Sequence, residues 1–225
     1  PDRKRHLVCV DAVDFKFSSL MYLNYEPVLR RLARDLLHDC CLIGNGSIVD
    51  AGAHTGSESA LYAASRPSSI VHAVEPMVQN IKVLRRMRER VPNLVPLHGA
   101  LGAADGAGTY VVNALEAWQR RYGGQLIDVN SSHSVGSLRL PPNGSAIRFP
   151  IFAVDGLLAG RWRGEKLAFL HLDVEGDELV VLRGAREAIR TSSPWLTVET
   201  NPRSKPAQYS ALMTHLRSLD YAMYE

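Results

Sequence analysis

Cysteine is scarce: the chain of 225 residues carries three, Cys9, Cys40 and Cys41, the last two adjacent. An odd count without metal-ligand spacing excludes a disulfide framework and a thiolate zinc site as the basis of folding. Charge of one sign is missing too, since 26 basic residues face 23 acidic ones for a net +3, so no nucleic-acid partner is expected. The densest basic stretch, Arg85, Arg86, Arg88 and Arg90, falls at the end of an expected helix, where cations favour the dipole and face water. No apolar run is long enough for a membrane span or the core of a signal peptide. The chain opens on Pro1 and not on methionine, so a fragment is expected, with any targeting segment lying elsewhere and a cytoplasmic setting for the fragment itself. Three N-x-S triplets, at Asn45, Asn130 and Asn143, would matter only in a secretory compartment.

What the chain does have is the composition of a folded globular protein, 46% hydrophobic and 22% charged, at a length that favours one large α/β domain with an extension. Residues 48–56, IVDAGAHTG, organise it: a short apolar strand reaches Asp50, and Gly52 and Gly56 bracket a turn into a small-residue helix. Glycine is needed where the backbone takes positive φ or lets a ligand come close. Taken alone, the nonapeptide also fits an ordinary strand-to-helix turn. Residues 70–76, IVHAVEP, form the next expected parallel strand, ending in Glu75 and stopped by Pro76. Glu75 follows Gly52 by 23 positions, close to the spacing at which an acid meets ribose hydroxyls. His54 and Thr55 stand where a dinucleotide site would complete G-x-G-x-x-G, and no lysine serves a phosphate. A nucleoside lacking phosphates is therefore the expected ligand, with S-adenosylmethionine the candidate. A nicotinamide-dependent oxidoreductase is the weaker rival.

Along the rest of the chain, residues 1–46 read as an aromatic and helical extension packed on the core, with a helix from near Pro27 to Cys41 carrying Leu32, Leu36 and Leu37. A helix at 78–90 places Ile81, Leu84 and Met87 on one side, and 94–101 is expected as a third strand. Residues 102–158 break the βα rhythm and suggest an antiparallel β insertion, with Asn143-Gly144 as a hairpin signal and Pro150 marking an edge or a bulge. The polar stretch 122–134 suits a loop, with His133, Ser134 and Ser137 as surface or contact residues. Residues 167–182, LAFLHLDVEGDELVVL, read as a buried strand ending in Asp173, Glu175, Asp177 and Glu178. Capping and dipole compensation account for the last two. Asp173 is expected over the crevice, with His171 two residues before it on the same face. A helix at 178–190, a strand at 195–200 ending near Glu199, a helix at 207–219 and a strand start at 221–225 follow. The acids form no recognised ligand pattern, so no metal site is assigned.

In this order and spacing, IVDAGAHTG, VHAVEP with Asn80, HGALG, FLHLDVEGDELVVLRGA and LTVE resemble the FkbM family of S-adenosylmethionine-dependent methyltransferases over residues 25–225. The most diagnostic piece is Asp173-Val174-Glu175-Gly176 followed by Glu178, Leu182 and Gly184-Ala185. The resemblance implies a class I methyltransferase fold, Rossmann-like and doubly wound, with strand order 3-2-1-4-5-7-6. The cofactor domain would then span residues 47–225. It also implies O-methylation of a hydroxyl on a sugar or another small natural product. It assigns Asp50, Gly52, Ala53, His54 and Gly56 to the cofactor turn, Glu75 and Pro76 to the ribose end, and Ala100 and Leu101 to the adenine. Asp173, Glu175 and His171 fall to the transferring methyl, with Asp173 as base or orienting group. His54 departs from the asparagine usual in the family. A noncatalytic methyltransferase-like binding module is the alternative.

Overall fold

Apolar runs of four to eight residues punctuated by glycine and proline become strands, and the longer amphipathic stretches between them become helices. The computed structural model describes residues 5–11, 37, 44–112, 145–174, 176–200, 202 and 205–224. In chain order these give β1 (Arg5–Asp11), β2 (Ser47–Ala51), α1 (Ser57–Ser65), β3 (Val71–Glu75), α2 (Val78–Arg88), β4 (Leu94–His98) and β5 (Ala100–Leu101). Then come β6 (Gly106–Val112), β7 (Ser145–Phe152), α3 (Val154–Ala159), β8 (Leu167–Leu172), α4 (Glu178–Gly184), α5 (Arg186–Ser192), β9 (Trp195–Thr200), α6 (Pro206–Ser218) and β10 (Tyr221–Tyr224).

Seven strands form one sheet in the order β10-β1-β9-β8-β2-β3-β4, every neighbouring pair parallel. Every residue of β2, β3 and β8 is buried, as a parallel sheet covered on both faces requires. Alternate residues serve alternate faces. Val49, Leu170, Leu172 and Val198 pack against Val181, Leu182, Ile189 and Leu212 on one side. Ile48, Ala73 and Phe169 pack against Tyr62, Ile81 and Leu84 on the other. Arg85, Arg86, Arg88 and Arg90 are exposed, as a solvated helix end should be. At the amino ends of the strands His72 stacks on Trp162 with ring centroids 4.0 Å apart, and its Nε2 lies 2.8 Å from Glu165 Oε2.

Five neighbouring strands, β4-β3-β2-β8-β9, follow the expected order, and the sixth, β10, takes the far edge. The slot between β9 and β10 is filled by β1, from the segment the sequence assigns to a leading extension. It pairs Cys9 with Val198 on one side and Leu7 with Met223 on the other. The strand expected at 94–101 is broken at Gly99, where φ is 150°: β4 stays in the main sheet and β5 turns into a second one, β5-β7-β6. The antiparallel element is present as β6 paired with β7, Val112 opposite Ser145 and Gly106 opposite Ile151. Pro150 lies in the central strand of that small sheet, yet β5 reaches only Ile151 and Phe152, so beside Pro150 one flank of β7 has no partner strand. The chain then turns into α3, two residues beyond Phe152. The hairpin at Asn143-Gly144, the run at 135–140, His133, Ser134, Ser137 and all of the expected 27–41 helix except Leu37 lie outside the described residues. The helix expected over 178–190 divides at Ala185, whose φ of −110° and ψ of 14° leave the helical basin, giving α4 and α5.

Gly184, at the end of α4, is fixed by space. A methyl group there would overlap the backbone carbonyl oxygen of Gly102, so the helix seats directly on the loop before β6. Gly184→Ala is expected to lower unfolding free energy by about 1–3 kcal/mol. Gly106→Ala, where nothing lies within 4 Å of an added Cβ, should cause no comparable loss. Urea denaturation followed by circular dichroism checks both, and coincident midpoints for the Gly184 variant and the parent protein would contradict the packing argument.

Candidate active site

The carboxyl ends of β2, β3 and β8 converge on Gly52. Its N–H donates to Val74 O at 3.0 Å, and the following Ala53 N–H donates to the same carbonyl at 3.1 Å. Asp173 N–H donates to Ala51 O at 3.0 Å. Gly52 takes φ of 85°, and a Cβ on it would run into the Asp173 carbonyl oxygen. Only glycine meets both conditions. The turn ends at Gly56, φ 90°, whose N–H donates to Ala53 O at 2.7 Å before α1 begins.

Glu75 holds this turn from β3. Its Oε2 accepts the His54 backbone N–H at 2.9 Å; its Oε1 accepts Met77 N–H at 2.8 Å and Asn80 Nδ2 at 3.3 Å. Three donors, two from loops and one from α2, fix one carboxylate that is 4% exposed. Pro76 lies in the same loop, and its carbonyl accepts from His98 Nε2 at 3.0 Å. His54 has φ of 48°, a region asparagine favours over histidine, but the bond it contributes comes from its main chain. The side-chain difference therefore leaves the clasp intact.

Asp50 lies beneath the turn, 1% exposed, and accepts a hydrogen bond from Ser59 Oγ of α1. Burial pushes its pKa up from 3.8 to about 7; the charges of Glu58 and Glu75 add to the rise and the Ser59 bond opposes it. Among the described residues, Asp50, Glu58 and Glu75 gather three carboxyl groups around the first turn of the fold, an arrangement that disfavours phosphate.

At the end of β8, Asp173 is half-buried beside Gly52. His171 is not brought to the crevice with it as a working pair. The imidazole is 6% exposed, with Nδ1 hydrogen-bonded to Thr197 Oγ1 at 2.7 Å and Tyr62 edge-on at 5.9 Å. Burial lowers its pKa from 6.5 to about 4, which keeps it neutral. Glu175 lies outside the described residues. Glu178 Oε1 accepts Gly176 N–H at 2.9 Å, while Asp177, the N-cap, makes no side-chain capping bond. Burial raises the Glu178 pKa above 4.5, Glu199 adds to the rise and Lys205 opposes it. Ala100 and Leu101 sit in β5, 6% and 3% exposed, paired to Ile151 and Phe152.

Asp50, Gly52, Ala53, His54, Gly56 and Glu75 therefore surround one turn, with Asp173 against it. Ser59, Lys205 and Gln208 were not legible as site residues: each is brought in by helix packing, and no local pattern marks them. No group of three His, Cys, Asp or Glu side chains able to hold a metal occurs among the described residues. No described helix is long and apolar enough to cross a membrane. A family model, the methyltransferase FkbM domain, matches residues 50–223. No curated protein and no solved structure matches the chain.

The Asp50 environment has a consequence for stability. A carboxyl whose folded pKa lies above its unfolded one binds its proton more tightly when folded, so its contribution is full at low pH and is lost as pH rises through about 7. Between about pH 5 and about pH 8, the ligand-free protein should lose roughly 2–3 kcal/mol more stability than Asp50→Asn. Urea unfolding at the two pH values measures the difference, and parallel losses would show that Asp50 ionises normally.

Proposed function

The chain belongs to the FkbM methyltransferase family, and from that premise we propose that it uses S-adenosylmethionine to methylate a hydroxyl of a sugar or other small natural product. The observation that carries the cofactor assignment is the acid-ringed turn at Gly52. Asp50, Glu58 and Glu75 suit a ligand bearing a sulfonium and an ammonium and oppose a pyrophosphate. Glu75, clasped at the carboxyl end of β3, is an acid at the position where such sheets meet a ribose diol. His54, Ala53 and Gly56 shape the same turn, with Pro76 beside the ribose end and Ala100 and Leu101 towards the base. When bound, this cofactor supplies a methyl carbon on sulfur, which leaves as a neutral thioether as the carbon–oxygen bond forms.

The chain's own task is then positioning and proton removal. We assign Asp173 to orienting the acceptor hydroxyl and taking its proton; its position just after β8, with its backbone against Gly52, supports this. His171 is left out of this assignment: neutral, sealed and bonded to Thr197, it supports the floor of the site from β8. Glu175, in the same Asp-Val-Glu-Gly turn, is assigned to the acceptor side by the family pattern alone.

Calorimetric titration tests the cofactor. S-adenosylmethionine and S-adenosylhomocysteine are expected to bind with micromolar affinity and NAD not at all. Glu75→Gln should weaken the first two by about tenfold or more, since a hydrogen bond to a charged group is lost. A folded protein that binds NAD and neither adenosyl compound would overturn the proposal. Asp173→Asn should keep S-adenosylhomocysteine affinity while lowering kcat by about 10²–10⁴-fold; full activity in that variant would remove Asp173 from the role of base.

A further inference from the structure

A cavity of about 390 Å³ opens where β8 and β9 end, between the turn before α4 and the first turns of α6. Small-molecule sites occupy roughly 300–1,000 Å³, so this one is large enough for a single sugar ring. Glu178, Glu199, Lys205 and Gln208 contribute its polar lining, and Leu179 and Leu212 an apolar side. It is joined to the proposed chemistry by strand register. Leu172 of β8 pairs with Val198 of β9, and Asp173 and Glu199 are the next residues of their chains. Neighbouring strands run about 4.8 Å apart, so the two acids follow the last paired residues of adjacent strands.

The lining residues are not equivalent. Glu178 is committed inward, its Oε1 taken by Gly176 N–H at 2.9 Å. Glu199 is half-buried and lines the cavity, and its carboxylate makes no hydrogen bond to another described residue. Gly176, with φ of 112°, stands opposite two donors: a Cβ on it would come within 2.9 Å of Lys205 Nζ and 3.6 Å of the Gln208 side-chain amide. The bare turn therefore lets the Lys205 ammonium and the Gln208 amide pack close against it, on the cavity that the Glu199 carboxylate also lines. An apolar ligand would leave Glu199 dehydrated without a partner. A polyanion would meet two carboxylates. Hydroxyl groups, which donate and accept, match acceptor and donors together.

We propose that this cavity holds the methyl acceptor, and that the acceptor is a pyranoside-like polyhydroxyl ring whose hydroxyls next to the reacting one donate to Glu199 and accept from Lys205 and Gln208. This assignment rests on the methyltransferase reading above. It makes Glu199 a specificity-determining residue, distinct from Asp173, which handles the proton. A deoxy or O-methylated analogue lacking the hydroxyl beside the reacting one would leave the Glu199 carboxylate unsatisfied and bind more weakly.

The test uses saturation-transfer NMR on the protein with S-adenosylhomocysteine present and methyl α-pyranosides of the gluco, manno and galacto series as probes. At least one pyranoside is expected to receive saturation. Its affinity should fall about tenfold or more in Glu199→Gln and drop also in Gln208→Leu, while calorimetric S-adenosylhomocysteine affinity stays within about twofold in both. Retained cofactor affinity reports that the variants are folded. Pyranoside binding that is unchanged in both variants places the acceptor elsewhere and overturns the proposal. Cofactor binding without binding of any pyranoside overturns the sugar assignment and leaves the methyltransferase reading standing. Failure of the folded parent protein to bind S-adenosylhomocysteine overturns that reading, and this proposal with it.

Discussion

The approach of Gly52 to the Asp173 carbonyl is the constraint on which the site depends. Three parallel strands end within one hydrogen-bonded knot: Val74 O accepts from Gly52 and Ala53, and Ala51 O accepts from Asp173. A side chain at Gly52 would push β8 away from β2 and carry Asp173 out of register with the turn after β2. In an open α/β sheet the crevice beyond the strand ends is the natural ligand site. Here the close contact draws its two walls, the turn after β2 and the turn after β8, onto one another. Glu75 fastens the third wall by taking donors from His54, Met77 and Asn80.

Electrostatics divides the crevice into two regions. Around the first turn, Glu58 and Glu75 stand beside Asp50, whose pKa burial pushes up to about 7. Further along the rim Glu178 and Glu199 face Lys205, a mixed lining suited to neutral polar groups. In the reading proposed above, a cationic cofactor and a neutral hydroxyl acceptor would be sorted by these two environments.

Much of this could be read from the chain because its signals are local. The strands within IVDAG, IVHAVEP and LAFLHLD are buried on both faces, so they are mostly apolar, interrupted by His72 and His171, and an acid stands at or next to the carboxyl end of each. The glycines of the first turn declare positive φ in advance. Local signals also misled. Residues 94–101 look like one strand, but Gly99 turns the chain into a second sheet. His171 precedes Asp173 by two and looks like a partner for it, yet Thr197 on the neighbouring strand is the group its ring meets. Pairing across strands is long-range, and periodicity along one strand cannot state it.

By itself the sequence determined the parallel α/β class, the positions of the β2, β3 and β8 strands, and the residues of the glycine turn with its acids, because each follows from backbone sterics or from the period of apolar residues. Only the tertiary structure decided that β1 would enter the slot between β9 and β10, since parallel pairing joins it to segments 189 and 216 residues further along the chain. It decided likewise that Ser59 would meet Asp50, and that Lys205 and Gln208 would stand over Gly176. Those side chains are set by how helices seat on a twisted sheet, and the free energy of that seating comes from contacts between residues that carry no mark of one another in sequence.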